Sequence, residues 1–273
     1  MTATYRLIIY GCQMNDYDGE TIAGVLEAAG YVPAAPDQAA DVTLVYTCAV
    51  RKSATDRAWG RITSLAEVKR AKPHAVIGVG GCWAAVEEDT IRAGAPHVDF
   101  TFGTRDFHNL VGVIAALLEN APPASDGGDA VPRRMSFPRA NVSIMTGCNN
   151  YCAYCIVPYA RGPERSRPAD EIYREVEGLV RRGFRDITLI GQNVNSYRWQ
   201  SVAFAELLAK TDRCADGVFL RFVTNHPRDF DRSLVDVMAQ GRNVARHLHL
   251  PLQSGSDRIL NAMNRGYDLA HFY

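Results

Sequence analysis

The chain has 273 residues, of which 47% are hydrophobic and 22% are charged, and these are ordinary values for a globular protein. Thirty Lys and Arg residues balance thirty Asp and Glu residues, so the zero net charge argues against a uniformly basic nucleic-acid coat protein. No apolar run approaches the roughly 20 residues that span a membrane, and the N-terminus lacks a signal-peptide layout. Seven cysteines are too few for a disulfide scaffold of this length, so we expect a cytoplasmic protein in a reducing compartment.

The first 120 residues alternate short runs of branched and aromatic residues with stretches of helical spacing. Branched and aromatic residues favour strands, and strict alternation with helices implies crossover connections. We therefore predict an α/β domain whose parallel sheet is covered on both faces. The predicted strands are residues 5–10, 42–46, 75–79 and 98–102, and the predicted helices are residues 21–29, 54–70 and 106–119.

A change of composition marks the domain boundary. Residues 120–138 contain four prolines and a run of Ser, Asp and Gly, a composition that is typical of linkers. We therefore predict a first domain over residues 1–120, a linker over residues 121–138 and a second domain over residues 139–273.

The second domain resumes the alternation of strands and helices. It holds four predicted β/α units in about 130 residues, whereas a closed eight-unit barrel takes about 250 residues. We therefore expect a partial (β/α) barrel, open or incomplete. Its predicted strands are residues 141–145, 186–190, 218–223 and 247–250, and its predicted helices are residues 170–182, 202–210, 231–240 and 256–263.

Three cysteines lie in one loop directly after the first predicted strand of the second domain. Cys148, Cys152 and Cys155 have the spacing C-x3-C-x2-C, so three thiolates fall within eight residues. Such a set can wrap a four-iron cluster and leave one iron without a protein ligand, open to a substrate or cofactor. A zinc site is the alternative, but structural zinc usually takes four ligands in pairs, and no second pair lies nearby.

Three further cysteines each come just after a predicted strand of the first domain. Cys12, Cys48 and Cys82 are 36 and 34 residues apart in the chain. The carboxyl ends of parallel strands share one edge of a sheet, so we expect these three thiols to converge there. Free cysteines are often simply buried, yet three such placements out of three favour a second three-thiolate site. Cys214 lies in a polar stretch and is interpreted as an ordinary thiol.

Seven sequence blocks accompany these cysteines. In the first domain they are residues 11–15 (GCQMN), 47–51 (TCAVR) and 80–82 (GGC). In the second domain they are residues 147–168 (GCNNYCAYCIVPYARGPERSRP), 189–197 (LIGQNVNSY), 225–230 (NHPRDF) and 249–260 (HLPLQSGSDRIL). Together, over nearly all of the chain, they resemble the radical S-adenosylmethionine (SAM) methylthiotransferases, and PYARGPERSRP with TCAVR resembles the branch that modifies isopentenyl-adenosine in tRNA.

The resemblance implies an enzyme with two [4Fe-4S] clusters. The SAM-binding cluster would be held by Cys148, Cys152 and Cys155, and the auxiliary cluster by Cys12, Cys48 and Cys82. An electron from an external flavodoxin- or ferredoxin-like donor would cleave SAM to a 5′-deoxyadenosyl radical. That radical would take hydrogen from carbon 2 of N6-isopentenyladenosine beside the tRNA anticodon, the auxiliary cluster would supply sulfur, and a second SAM the methyl group. The resemblance also implies a monomer without membrane attachment.

The same resemblance assigns further residues to ligands. The candidates for SAM binding, which lie in the cysteine loop or after barrel strands, are Tyr154, Gln192, Asn193, Gln253 and Ser254. The candidates for RNA binding are Arg161, Arg165 and Arg167, because arginine forks suit phosphates and base edges. Loop packing, strand-end caps and local ion pairs are the alternative roles for these side chains.

Members of this family continue with about two more β/α units and a small β-barrel RNA-binding domain. We therefore expect this chain to be a truncated form that lacks part of the barrel wall and the dedicated tRNA-binding part. Three alternative functions stay open. They are methylthiolation of an aspartate in a ribosomal protein, methylthiolation of threonylcarbamoyl-adenosine in tRNA, and a non-catalytic iron–sulfur or zinc module.

Overall fold

A computed structural model describes residues 2–105, 107–118 and 131–273, without the side chain of His108. It divides into two compact units, and each is described by itself. The first unit comprises Met1–Met135 with Tyr159–Arg161, and the second comprises Ser136–Pro158 with Gly162–Tyr273. Most of the predicted linker, residues 121–130, lies outside the described residues. In the part of the chain that is described, no helix is long and apolar enough to cross a membrane.

The first unit is built on a five-stranded parallel sheet with the order β2-β1-β3-β4-β5. Its strands are β1 (Thr4–Tyr10), β2 (Val32–Pro33), β3 (Val42–Thr47), β4 (Val76–Gly81) and β5 (Phe100–Phe102). Both β3 and β4 are buried at every residue, which explains why their sequences are continuous apolar runs.

Helices cover both faces of this sheet. They are α1 (Gln13–Ala28), α2 (Lys52–Ala71), α3 (Glu88–Gly94) and α4 (Phe107–Leu117). One apolar core contains Ile22 of α1 and Ile114 of α4, and a separate core contains Ile62 of α2 and Ile91 of α3. The short helix α3 was not predicted, because Ile91 is its only buried residue and its apolar pattern is therefore too weak.

The last residues of three strands lie level with one another. Tyr10 at the end of β1 pairs with Thr47 at the end of β3, and Thr47 pairs with Gly81 at the end of β4. Between β1 and β3 the strand order also reverses, since β2 lies on the other side of β1. A doubly wound sheet opens a crevice at the carboxyl ends of its strands at such a switch point, and ligands bind there.

The second unit contains three parallel strands that are neighbours in chain order. They are β6 (Arg139–Ser143), β9 (Asp186–Ile190) and β12 (Phe219–Phe222), and a single parallel bridge from Leu220 to Val244 continues the series. Two short antiparallel pairs flank them, β7 (Met145–Thr146) with β8 (Arg165–Ser166) and β10 (Arg198–Trp199) with β11 (Val202–Ala203).

A helix connects each of these parallel strands to the next. The helices from α5 onwards are α5 (Val157–Arg161), α6 (Ala169–Arg181), α7 (Phe204–Cys214), α8 (Ser233–Gln240), α9 (Asp257–Ala262) and α10 (Leu269–Phe272). Helix α7 contacts both α6 and α8, so the helices follow the strands in sequence, as in a (β/α) barrel. Val142, Leu189 and Leu220 from the three strands are fully buried in one core.

One strand prediction is wrong. Residues 247–250 are not a strand, and the fourth position of the sheet is only the bridge at Val244. The carbonyl of His249 accepts both the backbone N–H of Asn225 at 3.3 Å and its side-chain Nδ2 at 3.0 Å, and these two bonds to one residue do not continue into a ladder. The alternation of HLHL predicted a strand, but the segment forms only isolated bonds to its neighbour.

Candidate functional sites

The first site lies at the level strand ends of the first unit. Cys48 directly follows β3, Cys82 directly follows β4, and Cys12 precedes the first residue of α1. The Cys12 thiol donates to the Cys48 sulfur, and this hydrogen bond lowers the pKa of Cys48 to about 6 and raises the pKa of Cys12. Burial raises the pKa of Cys82, which also feels the charge of Cys12, while Cys48 feels the charge of Cys82. The three thiols therefore converge as the topology requires.

The tight turn before α1 brings the first two thiols together. Gly11 has φ of +146°, and a Cβ there would lie 2.8 Å from the Cys48 Cβ and 2.7 Å from the Asn15 Oδ1. The Asn15 Oδ1 in turn lies 3.1 Å from the Cys12 Sγ. Glycine is needed here because any side chain would occupy the space that these groups use.

A buried charged network lies against Cys82. The Arg161 Nε donates to the Cys82 Sγ at 3.2 Å, and its Nη2 donates to the Asp18 Oδ2 at 2.7 Å. The Tyr46 hydroxyl donates to the same Asp18 oxygen at 2.9 Å. Burial raises the pKa of Asp18, whereas Arg161 and Tyr46 act in the opposite direction. The interpretation of Arg161 as an RNA contact does not fit this position, because only 3% of its side chain is exposed.

The second site is the loop that follows β7 in the second unit. Burial raises the pKa of Cys148 and of Cys155, and each of the two also feels the charge of Cys152. Each sulfur receives at least one N–H group, and the His226 Nε2 also lies 4.0 Å from the Cys152 Sγ. The donors are the backbone N–H of Asn150 to Cys148, the backbone N–H of Val157 to Cys155, and the Arg265 Nη1 to Cys152 at 3.2 Å.

Arg265 belongs to this site, although the sequence pattern does not predict it. It is 4% exposed, and its Nη1 also donates to the Tyr154 hydroxyl at 3.2 Å, while its guanidinium lies over the ring of Tyr267. Its position 110 residues after Cys155 in the chain gave no local signal.

Buried amide oxygens without partners lie in the polar segments near this loop. The Oδ1 atoms of Asn150, Asn193 and Asn225 have no hydrogen-bond partner. Asn193 follows β9 and Asn225 follows β12, and the Asn193 Nδ2 donates to Asp229 at 2.7 Å, which fixes the orientation of its amide. A buried acceptor without a donor is costly, so these oxygens are suited to the N–H groups of a ligand. Asn150 and Asn225 were not predicted.

The other predicted residues have different surroundings. The Gln192 Oε1 accepts from the Gly147 N–H at 2.6 Å and so supports the cysteine loop. Tyr154 is about half exposed, at 54%. The Ser254 Oγ accepts from the backbone of Ser256 at 3.2 Å beside the start of α9, and Gln253 is exposed.

Two of the predicted RNA-binding arginines lie in the second unit. The Arg167 Nη1 donates to the Ser143 carbonyl at 2.6 Å and to Glu175 at 2.8 Å, which is the local ion-pair role considered as the alternative. Arg165 is exposed in β8. Of the three arginines, Arg165 alone has the exposure that an RNA contact requires.

The donor set of both sites suits iron–sulfur clusters better than a single ion. N–H groups are directed at the sulfurs of Cys48 and Cys82 and at those of the three loop cysteines, and such hydrogen bonds are typical of iron–sulfur sites.

Replacing Gly147 with alanine should destabilise the second unit. Gly147 has φ of +79°, and a Cβ there would collide with the carbonyl oxygens of Gly162 and Pro163. Gly217 is the matched control, since it has φ of +68° and no described atom within 4 Å of its Cβ position. We expect Gly217→Ala to cost about 1 kcal/mol and Gly147→Ala about 3 kcal/mol in urea unfolding of the iron-free chain. Equal losses would show that the crowding is unimportant.

Comparison with known proteins identifies two families and several relatives. Residues 4–103 match the uncharacterized protein family UPF0004, and residues 142–273 match the radical SAM superfamily. The chain is 44% identical to a tRNA-2-methylthio-N(6)-dimethylallyladenosine synthase of Carboxydothermus hydrogenoformans, over 98% of this chain and 64% of the relative. It is 42% identical to the synthase of the same name from Desulforamulus reducens, over 98% and 62%. The chain thus spans less than two thirds of the length of these relatives.

A solved structure confirms the predicted fold class. The radical S-adenosylmethionine methyltransferase TsrM from Kitasatospora setae has a TM-score of 0.71 and 15% sequence identity, over 99% of this chain and 66% of that chain. At such low identity the likeness shows the fold, a parallel-sheet α/β domain followed by a radical SAM domain. Taken with the family matches and the relatives, it shows that this chain belongs to the radical SAM methylthiotransferase family.

Proposed function

We propose that the protein adds a methylthio group to carbon 2 of N6-isopentenyladenosine beside the anticodon of tRNA. The observation that carries the proposal is the presence of two separate three-thiol sites, one in each unit. A radical enzyme that only cleaves SAM needs one such site, whereas transfer of sulfur calls for a second. The names of the relatives support the same reaction.

Each site would hold one [4Fe-4S] cluster, the auxiliary one on Cys12, Cys48 and Cys82 and the SAM-binding one on Cys148, Cys152 and Cys155. When bound, the clusters supply reductive cleavage of SAM and the sulfur for transfer. TsrM, the structural relative, was solved with a [4Fe-4S] cluster bound. The protein supplies the thiolates, a mostly buried setting and the N–H groups that offset their charge.

The residues of the second unit are suited to orienting SAM. The buried oxygens of Asn193 and Asn225 would accept hydrogen bonds from its amino group, and Tyr154 would lie near its adenine. Gln192 acts through the loop, because it holds the Gly147 N–H at the base of the cysteine segment. Gln253 and Ser254 are proposed to contact SAM, and the exposed Arg165 is proposed to contact RNA.

The proposed partners follow from this chemistry. The substrate is tRNA, and a flavodoxin- or ferredoxin-like protein supplies single electrons, as radical cleavage of SAM requires. We propose that the protein acts as a monomer in the cytoplasm, where tRNA and reducing conditions coincide. The longer relatives carry a further third of sequence, which would contribute to binding of tRNA.

Anaerobic reconstitution with iron, sulfide, SAM and dithionite tests the enzyme. We expect about eight iron atoms per chain and formation of 5′-deoxyadenosine. One zinc per chain without cleavage of SAM would instead identify a non-catalytic module and overturn the proposal. The experiment is decisive because both sites contribute iron, whereas only one is needed for cleavage.

Nucleoside mass spectrometry of tRNA from a deletion strain tests the substrate. Loss of the 2-methylthio group from isopentenyl-adenosine is the expected result. Loss from threonylcarbamoyl-adenosine, or an unchanged tRNA profile with an unmodified ribosomal-protein aspartate, would assign the protein to another branch. Complementation with the deleted gene is the control.

A further inference from the structure

Hydrogen bonds within the first unit hold both the guanidinium and the backbone of Arg161. Its Nη2 donates to Asp18 at 2.7 Å, and Asp18 is fixed by the Tyr46 hydroxyl at 2.9 Å. The backbone is held as well, because the Thr104 hydroxyl donates to the Ala160 carbonyl at 3.2 Å and Arg105 donates to the Arg161 carbonyl. These contacts fix both ends of the Arg161 side chain.

The buried guanidinium has one N–H group too many for its protein partners. Its Nε donates to the Cys82 Sγ at 3.2 Å, whereas the Nη1 is buried and has no hydrogen-bond partner. Arginine stays protonated inside proteins, so this donor cannot be removed by loss of a proton. The Asn15 Nδ2, on the residue that contacts Cys12, is a second buried N–H donor without a partner.

Two unpartnered donors near three thiols indicate an anionic sulfur ligand. A donor that is buried without an acceptor is costly, so such donors in native structures normally meet a ligand or an ion. Iron–sulfur clusters present inorganic sulfides and cysteine sulfurs as acceptors, and hydrogen bonds to these sulfurs help to set the reduction potential. Arg161 already donates to one of these sulfurs.

We propose that Arg161 is a positioning residue of the auxiliary site, which donates to Cys82 and to a further sulfur of the cluster and thereby raises its reduction potential. This inference rests on the proposed function, since it requires a cluster on Cys12, Cys48 and Cys82. Asn15 contributes the second donor. Asp18 and Tyr46 aim the guanidinium, and the carboxylate offsets its charge, so that the site gains directed N–H groups without a net positive charge.

A purely structural role makes a different prediction. A buried ion pair often contributes little to stability compared with apolar residues of similar size. If Arg161 served only to satisfy Asp18, removing both charges would change stability and leave the cluster unaffected. The potential of the auxiliary cluster therefore separates the two roles.

The test uses the 273-residue chain with Cys148, Cys152 and Cys155 replaced by alanine, so that one cluster site is left. In this background we make two variants. The double variant Arg161→Met/Asp18→Asn removes both charges of the pair, and the single variant Arg161→Lys keeps the positive charge. The matched control is the double variant Arg92→Met/Glu88→Gln. It removes a more exposed ion pair of α3 in the same unit, in which the Arg92 Nε lies 2.8 Å from the Glu88 Oε1. The readouts are iron content and the midpoint potential from a redox titration followed by electron paramagnetic resonance.

We expect about four iron atoms per chain in the background and a more negative midpoint potential in the Arg161→Met/Asp18→Asn variant. The midpoint potential of the Arg161→Lys variant should lie between those of the background and the double variant. The potential of the control should equal that of the background. Loss of iron from a folded double variant, with iron retained in the control, also supports the proposal. The proposal would be overturned if the Arg161 variants bound the full four iron atoms and had the same midpoint potential as the background. Should the double variant not fold, the lysine variant decides by the same criterion.

The iron content of the background variant distinguishes failure of the auxiliary site from failure of the role of Arg161. If it takes up no iron, the auxiliary site of the proposed function is wrong, and the role of Arg161 fails with it. If it takes up iron and the Arg161 substitutions leave the midpoint potential unchanged, only the positioning role fails.

Discussion

Alanine at Cys148, Cys152 and Cys155 together is expected to abolish cleavage of SAM and to remove about half of the bound iron. The loss should exceed 1000-fold, on the order of what a missing cofactor costs, because the three thiols are the proposed ligands of the SAM-binding cluster. Alanine at Cys12, Cys48 and Cys82 should remove the same amount of iron and spare 5′-deoxyadenosine formation. The measurements are iron content and deoxyadenosine release after anaerobic reconstitution.

The reciprocal variants divide the reaction between the two units. We expect the variant without the auxiliary site to cleave SAM and to leave tRNA without a methylthio group. Cys214→Ala is the control, because Cys214 belongs to neither set and should keep full iron and activity. Equal loss of SAM cleavage in both triple variants would contradict a division of labour.

Removal of the Asp18 carboxylate should destabilise the chain more than any surface change. The Asp18→Ala variant leaves the Arg161 guanidinium buried and without its carboxylate partner, in a place where only 3% of that side chain reaches solvent. Breaking a buried pair in this way typically costs about 3–5 kcal/mol. The measurement is the free energy of unfolding of the iron-free chain in urea.

An exposed ion pair of the same unit provides the control. Asp56 lies 3.5 Å from Lys52 on the surface of α2, and both side chains are more than half exposed. Asp56→Ala should therefore change the free energy of unfolding by less than about 1 kcal/mol. A similar small effect at Asp18 would mean that the chain relaxes to hydrate Arg161, and the network would then have no structural importance.

The sequence predicts the positions of the sulfur atoms well, because they depend on backbone topology. Cys48 and Cys82 lie directly after apolar strands, and Cys12 lies just after another, so that a parallel sheet necessarily carries all three to one edge. The two α/β units are predictable for the same reason, since buried parallel strands are long apolar runs with helical stretches between them.

The partners of those sulfurs could not be predicted from local pattern. Arg161 lies in a segment of similar residues, where its neighbours Arg165 and Arg167 suggested RNA, and only tertiary packing shows that it meets Asp18. Arg265 approaches Cys152 from more than 100 positions away in the chain. Side chains with several rotatable bonds reach partners that no strand register or helix period determines.

The two sites differ in how much of the chain must be folded before their thiols can meet. Cys148, Cys152 and Cys155 lie within eight residues, so a flexible peptide could bring them together at small entropic cost. Cys12, Cys48 and Cys82 meet only after β1, β3 and β4 have paired in level register, and such long-range parallel pairing is slow. During synthesis the auxiliary site therefore depends on completed pairing of these strands, whereas the loop site depends on a single local segment.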